Sequence, residues 1–217
     1  MQLKQLQQEL ETVYDLSCQH QVNDFLLTER AVAGQLVGSS AIDGTPEALL
    51  VRQDGDGLDV SLFLEAELLA RLEARDPSDA VDGVYLNDLL AAVEGVSHFL
   101  YLIWNAGHAR PVTQLELELQ AEVDKFVVCA LVMDWAGGHS DTRALHRLLF
   151  SGFHLRQNLS PQQRARYLRA SRLAACYCDS LPHGQLRAPG KRLLPELRRF
   201  YRMLQGHKIR HIQSRSR

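Results

Sequence analysis

Residues 86–105 read LNDLLAAVEGVSHFLYLIWN, and this stretch decides the class of fold. Placed on a helix, it carries apolar side chains on nearly every side, and a helix of that kind is buried rather than amphipathic. Gly107 and Pro111 follow shortly afterwards, and both residue types end helices. We therefore predict a core helix over 86–105 against which the rest of the chain packs.

A second long helix is predicted directly after it. Thr113 and Glu116 have the spacing of a capping box, and the helical pattern continues to about Trp135, before two glycines. The connection of about seven residues is short enough to make the two helices antiparallel neighbours. By the same reasoning, helices are predicted over residues 1–20, 65–75, 141–157, 160–180 and 195–212.

One β-hairpin is predicted upstream of these helices. Residues 47–53 and 58–64 flank Asp54-Gly55-Asp56-Gly57, and Asp-Gly favours a tight turn between strands. A calcium loop is a poorer interpretation, because Leu58 falls where a ligand belongs. The sequence thus predicts a predominantly α, α+β protein. An N-terminal helix and a small hairpin precede a bundle of about five or six helices, in one domain over residues 1–217.

The charge of the chain is divided unevenly along its length. The net charge of the 217 residues is −2, yet residues 1–150 hold 9 Lys and Arg against 24 Asp and Glu, a net charge of −15. Residues 151–217 hold 15 against 2, a net charge of +13. Such asymmetry indicates either a segment that binds polyanions or pairing between the two parts of the chain. We expect a flexible tail from about residue 208.

Eight side chains are predicted to form a basic face in the C-terminal third. Arginine outnumbers lysine there, and its planar guanidinium suits carboxylates and phosphates. Contact with nucleic acid is one interpretation, although the segment carries no common nucleic-acid-binding motif. The residues are Arg164, Arg169, Arg172, Arg198, Arg199, Arg202, Lys208 and Arg210.

Several classes of protein are disfavoured by composition and motifs. With 46% apolar residues the chain is neither disordered nor a disulfide-stapled miniprotein. Its four cysteines show no C-x-x-C spacing, and no apolar run approaches the length of a bilayer span. The common nucleotide-binding, zinc-protease and hydrolase signatures are absent from the sequence. We predict a cytoplasmic protein that does not contact membranes.

Polar residues on the core helix are the candidate functional residues. Asn87, Glu94, His98, Tyr101 and Asn105 differ by 7, 4, 3 and 4 positions, which places them on one stripe. The following helix carries two glutamates four positions apart. Because the helices are neighbours, Glu94, His98, Glu118 and Glu122 are predicted to lie together.

Three interpretations of this cluster stay open. It is a buried hydrogen-bond network, in which Glu118 or Glu122 pairs with His98, Tyr101 or Lys125. It is a metal centre built from Glu94, His98, Glu118 and Glu122, although di-iron bundles use Glu-x-x-His rather than the Glu-x-x-x-His found here. Or it is an acid–base site that uses Glu94, His98 and Glu122. Four residues near the next turn could add ligands: Asp134, His139, Asp141 and His146.

The functional prediction that follows is an interaction or regulatory protein without a catalytic site or cofactor. Its partner would be a second copy of the chain or another protein. A metal-dependent or acid–base enzyme with a divalent metal is the alternative, and nucleic-acid binding through the arginine-rich helices is the second alternative.

Overall fold

The computed structural model describes residues 1–55, 57–75, 83–135, 142–151, 159–182 and 193–215. Within these ranges the protein is α+β and predominantly α, with a small sheet beside a bundle of helices, as predicted. The elements are α1 (Leu3–Tyr14), a 3₁₀ helix (Val22–Phe25), β1 (Leu26–Leu27), α2 (Arg30–Val37), α3 (Ser39–Ile42), β2 (Glu47–Asp54), β3 (Gly57–Leu64), α4 (Ala66–Ala74), α5 (Gly83–Gly107), α6 (Gln114–Trp135), α7 (Thr142–Ser151), α8 (Pro161–Asp179), α9 (Leu193–Tyr201) and α10 (Gln205–Arg215).

The predicted hairpin is confirmed. β2 and β3 pair antiparallel, with Glu47 opposite Leu64 and Asp54 opposite Gly57. Gly55 in the turn has a φ of 58°, a left-handed conformation that favours glycine. β1, which no pattern in the sequence indicated, pairs parallel with β3 and gives the strand order β1-β3-β2. A strand of two residues is too short to show an alternating pattern.

The core helix α5 packs closely on the sheet. A Cβ atom at Gly95 would lie 2.9 Å from Cδ1 of Leu62, so this glycine lets the helix approach β3. α5 is long and apolar enough to cross a membrane by length and composition alone, yet 61% of its apolar window is buried inside the protein. Burial against other elements accounts for its apolar character, as in the core helices of water-soluble folds.

Helices α5 and α6 run antiparallel. Glu94 contacts Lys125, Ser97 contacts Asp124, and His98 contacts Glu118, so residue numbers rise along one helix as they fall along the other. Both predicted capping boxes form, at Thr113 with Glu116 and at Ser160 with Gln163. One buried apolar cluster includes residues from α1, β3, α5, α6, α8, α9 and α10.

Three predicted boundaries are corrected. The first helix ends at Tyr14 rather than near residue 20, because Asp15 adopts a left-handed conformation. The single helix predicted over 195–212 is two helices, α9 and α10, separated by residues 202–204. The predicted flexible tail from about residue 208 is instead helical to Arg215, since Lys208 and Ile212 are buried. Residues 152–158 and 183–192, on which two other predictions fall, lie outside the described residues.

Candidate metal centre

A cleft of about 950 Å³ lies where β2, α5, α6 and the start of α8 meet. Its polar lining includes Glu47 from the first position of β2, His98 from α5, Glu118 from α6 and Arg166 from α8. Exposed residues such as Asp43 and Gln163 also line it, so the cleft opens to solvent. The described structure therefore offers access to side chains that are themselves largely buried.

Glu47 and His98, which line this cleft, form a cluster with Glu94. One potential ligand atom from each lies within 4.8 Å of those from the other two. Glu94 and His98 are one turn apart on α5, which places both on the same face of the helix. Glu47 is held at the start of β2, where Thr45 Oγ1 donates a hydrogen bond to its carbonyl oxygen at 2.8 Å.

The chemistry of this trio suits a divalent first-row metal. An imidazole nitrogen and two carboxylate oxygens are ligands that Mn²⁺, Fe²⁺ and Zn²⁺ accept. Metal–ligand distances of about 2.0–2.2 Å put two ligands of one ion at most about 4.4 Å apart. The observed spread is slightly larger, so small side-chain movements would be enough to enclose an ion.

A buried lysine lies on the far side of Glu94. Lys125 Nζ is 2.5 Å from Glu94 Oε2 and 2.8 Å from Glu122 Oε1, and the three side chains are only 10–14% exposed. Burial by itself lowers the pKa of Lys125, but the two carboxylates outweigh it and raise that pKa above its ordinary value. The lysine thus remains an ammonium ion that holds Glu94 and Glu122 in place.

Glu118 links His98 to α8. Its Oε2 lies 3.6 Å from His98 Nε2, and its Oε1 lies 3.5 Å from Arg166 Nε. Burial, followed by the charge of Glu94, raises the pKa of Glu118 to about 7, although Arg166 and Lys125 oppose that rise. This carboxyl therefore changes protonation near neutral pH.

The four residues predicted to lie together, Glu94, His98, Glu118 and Glu122, are near one another, but they divide into different contacts. Glu94 and His98 belong to the potential ligand trio, Glu118 bridges His98 and Arg166, and Glu122 is paired with Lys125. Of the predicted hydrogen-bond network, Lys125 donates to Glu122 at 2.8 Å, whereas His98 and Glu118 lie near each other at 3.6 Å. Asp134, His139 and Asp141 have no described side chains, and His146 Nε2 is instead 2.9 Å from the Ala175 carbonyl oxygen.

Sequence reasoning missed Glu47 and Arg166. Glu47 begins an ordinary strand pattern. Nothing in the sequence indicates that it lies near Glu94 and His98, which are in a helix some fifty positions later. Arg166 looks like one of many arginines in the basic third, although its side chain is 19% exposed and lies against Glu118. Only the packing of β2 and α8 on the central helix pair identifies these two residues.

No protein-family model, curated protein or solved structure matches this chain. Its function therefore has to be argued from its own geometry.

The predicted basic face does not form as one surface. Arg164, Arg169, Arg172, Arg199 and Arg210 are exposed. Arg198 and Arg202 instead donate hydrogen bonds to carbonyl oxygens at the C-terminal end of α1.

Lys208, assigned to the same basic face, lies in the core. Its Nζ donates to Gln120 Oε1 at 2.6 Å and faces the rings of Tyr101 and Phe200 at 4.5 and 4.7 Å. Gln120 also donates to Asp124 Oδ1 at 2.8 Å. The sequence of α10 contains few apolar residues and so did not indicate that Lys208 is buried. A lysine is usually exposed at its charged end, and nothing in the sequence shows that this one has a buried partner.

Proposed function

We propose that this protein is a divalent-metal-dependent enzyme that binds its ion through Glu47, Glu94 and His98. The close approach of these three side chains, two of which line an open cleft, carries the proposal. A metal bound there would act as a Lewis acid toward a small molecule in the cleft. The chain's four free thiols suit a reducing compartment, which supports the cytosol as its location.

The electrostatics of the surrounding side chains favour a cation. The trio contributes two carboxylates, and Glu118 and Glu122 add two more, against one ammonium and one guanidinium from Lys125 and Arg166. Buried charges are stabilised by pairing or by metal coordination. A divalent ion held by the trio would stabilise its two carboxylates in this way.

The role of Glu118 in this proposal is to position His98. Its carboxyl lies beside Nε2 of the imidazole, and a carboxylate near a ligating histidine fixes the orientation of the ring. Lys125 similarly holds one oxygen of Glu94. Both contacts restrict the ligand side chains before any ion arrives.

A metal-dependent enzyme was the alternative that the sequence suggested. The interaction protein and the nucleic-acid-binding protein stay predictions. An interaction surface has no need of buried carboxylates and an imidazole gathered at a cleft. Binding of nucleic acid would rest on exposed arginines that are spread over α8, α9 and α10, since Arg198, Arg202 and Lys208 make contacts within the fold.

Metal titration of the full chain tests the proposal. Metal-free protein is titrated by calorimetry with Mn²⁺, Zn²⁺ and, without oxygen, Fe²⁺. We expect one ion per chain, with binding that weakens at acidic pH because the ligands must lose their protons. Glu47→Gln and His98→Gln should each weaken binding at least about tenfold.

The matched control is Glu116→Gln, which alters another buried carboxylate of α6 that bonds to Thr113 rather than to the trio. It should bind the ions as the wild-type chain does. Failure of the wild-type chain to bind any of the three ions, or equal binding by the Glu47→Gln and His98→Gln variants, would overturn the proposal.

A further inference from the structure

Arg166 lines the cleft and contacts Glu118, which in turn lies beside the proposed ligand His98. Its Nη1 donates to Gln114 Oε1 at 2.6 Å, and its Nε lies 3.5 Å from Glu118 Oε1. These contacts hold the guanidinium at the cleft wall from two sides. Within the described part of the chain, its Nη2 has no hydrogen-bond partner.

We infer that the cleft binds an amphipathic organic carboxylate, with the carboxylate on Arg166 and the proposed ion and the hydrocarbon part along the apolar wall. The inference rests on the proposed metal-dependent function and names the class of molecule on which that function acts. A guanidinium presents a planar fork of N–H donors that matches a carboxylate, whereas a lysine presents a point charge.

The remainder of the cleft favours a ligand with an apolar part over a simple inorganic anion. Apolar side chains also line the cleft. They come from α5, from the α5–α6 connection, from α6 and from the residue before the N-cap of α8: Leu102, Val112, Leu117 and Leu159. Its volume of about 950 Å³ is that of a site for a sizeable organic molecule. A ligand with a charged head and an apolar body would contact both kinds of surface.

Charge makes the ligand and the ion depend on each other. Without an ion, the carboxylates of Glu47 and Glu94 in this region oppose a second anion. With a divalent ion held by the trio, the ion and Arg166 together attract a carboxylate. Coupling of this kind is reciprocal, so the carboxylate also tightens the binding of the ion.

Octanoate is the probe, and its binding to the full chain is measured by calorimetry with and without saturating Mn²⁺. We expect octanoate to bind the Mn²⁺-loaded chain at least about tenfold more tightly than the metal-free chain. Octanol, which keeps the hydrocarbon and loses the charge, and inorganic phosphate, which lacks the hydrocarbon, should both bind the loaded chain less tightly than octanoate.

Arg166→Gln should weaken octanoate binding at least about tenfold while leaving Mn²⁺ affinity within about threefold of wild type. Arg164→Gln, an exposed arginine of the same helix, is the control and should bind octanoate normally. Arg166→Lys keeps the positive charge beside Glu118 but loses the planar fork. It should also weaken octanoate binding, and it serves if the glutamine variant does not fold.

The two proposals fail in different ways. A wild-type chain that binds no Mn²⁺ overturns the proposed metal site. A chain that binds Mn²⁺ normally, yet binds octanoate equally well without the ion or after both Arg166 substitutions, leaves the metal site standing and overturns the carboxylate inference. Tighter binding of phosphate or octanol than of octanoate overturns it as well.

Discussion

At the scale of single residues, Lys208 shows how burial changes the pKa of a side chain, which the sequence alone does not reveal. Its ammonium lies among aromatic rings, and Gln120 connects it to the buried carboxylate of Asp124. Burial lowers the pKa of Lys208 to about 7, against the opposing effect of Asp124 and Glu116. Burial also raises the pKa of Asp124 to about 6, although hydrogen bonds from Ser97, Tyr14 and Gln120 oppose that rise.

Lys208 should therefore make stability depend on pH. Its pKa is about 7 in the folded state and near 10.5 when unfolded, so between these values the unfolded chain binds more protons. The free energy of unfolding should rise with pH in that window, by at most about 1.4 kcal/mol per pH unit. Conversely, the free energy of unfolding falls as the pH is lowered from about 10.5, and the loss is complete once the pH has fallen through about 7.

Substitution of Lys208 by methionine should remove this dependence. The measurement is urea unfolding of the wild-type and Lys208→Met chains at pH 7, 8 and 9. We expect the difference in unfolding free energy between them to change in favour of the wild-type chain as the pH rises. A difference that stays constant over this range would show that Lys208 does not titrate in the folded state.

At the scale of elements, α9 and the residue that follows it contact the end of α1, and this contact explains where part of the basic charge goes. Arg198 Nε and Nη2 donate to the carbonyl oxygens of Val13 and Thr12 at 3.0 and 3.2 Å. Arg202 donates to those of Tyr14 and Asp15, both at 2.9 Å. Cations stabilise the C-terminal end of a helix, where carbonyl groups lack partners within the helix.

Loss of one of these arginines should destabilise the fold. Arg202→Met removes two charge-assisted hydrogen bonds to the end of α1, and we expect the free energy of unfolding to fall by about 1–3 kcal/mol. Arg199→Met, which changes a neighbouring exposed arginine, should alter it by less than about 0.5 kcal/mol. Urea unfolding measures both, and equal effects of the two substitutions would contradict the capping role of Arg202.

At the scale of the whole molecule, the last helix completes the core. Lys208 is fully buried and Ile212 is 2% exposed, and the buried cluster that contains Ile212 also includes residues of α1 and α5. The basic C-terminal third therefore contributes interior as well as surface. This docking joins the two oppositely charged parts of the sequence within one fold.

A chain truncated after Leu204 should lose its cooperative fold. Removal of α10 exposes the aromatic rings that surround Lys208 and leaves Gln120 and Asp124 without their cationic partner. Each buried acceptor left without a hydrogen bond costs about 1–3 kcal/mol, and the burial of Ile212 is lost as well, a large share of a domain's stability. We expect weak near-ultraviolet circular dichroism and a broad thermal transition. A sharp transition within a few degrees of the full chain would show that α10 is dispensable.

The sequence was sufficient where neighbouring residues carry the signal. The apolar character of residues 86–105 predicted the core helix, Thr113 with Glu116 predicted the start of α6, and Asp54-Gly55 predicted the hairpin. The four-residue spacing of Glu94 and His98 placed them on one helix face. Each of these is a local property, fixed by the turn of a helix or the geometry of a tight turn.

The sequence was insufficient where the chain brings distant residues together. Glu47 meets Glu94 and His98 only because β2 packs on α5, and Arg166 meets Glu118 only because α8 packs on α6. Lys208 was predicted to lie on the basic face, and its burial depends on where α10 packs. By itself the sequence determined the long central helices, the hairpin and two of the three potential ligands of the candidate metal centre. Tertiary structure decided the cleft, the third ligand and the burial of charge, because those depend on distances between side chains far apart in the chain.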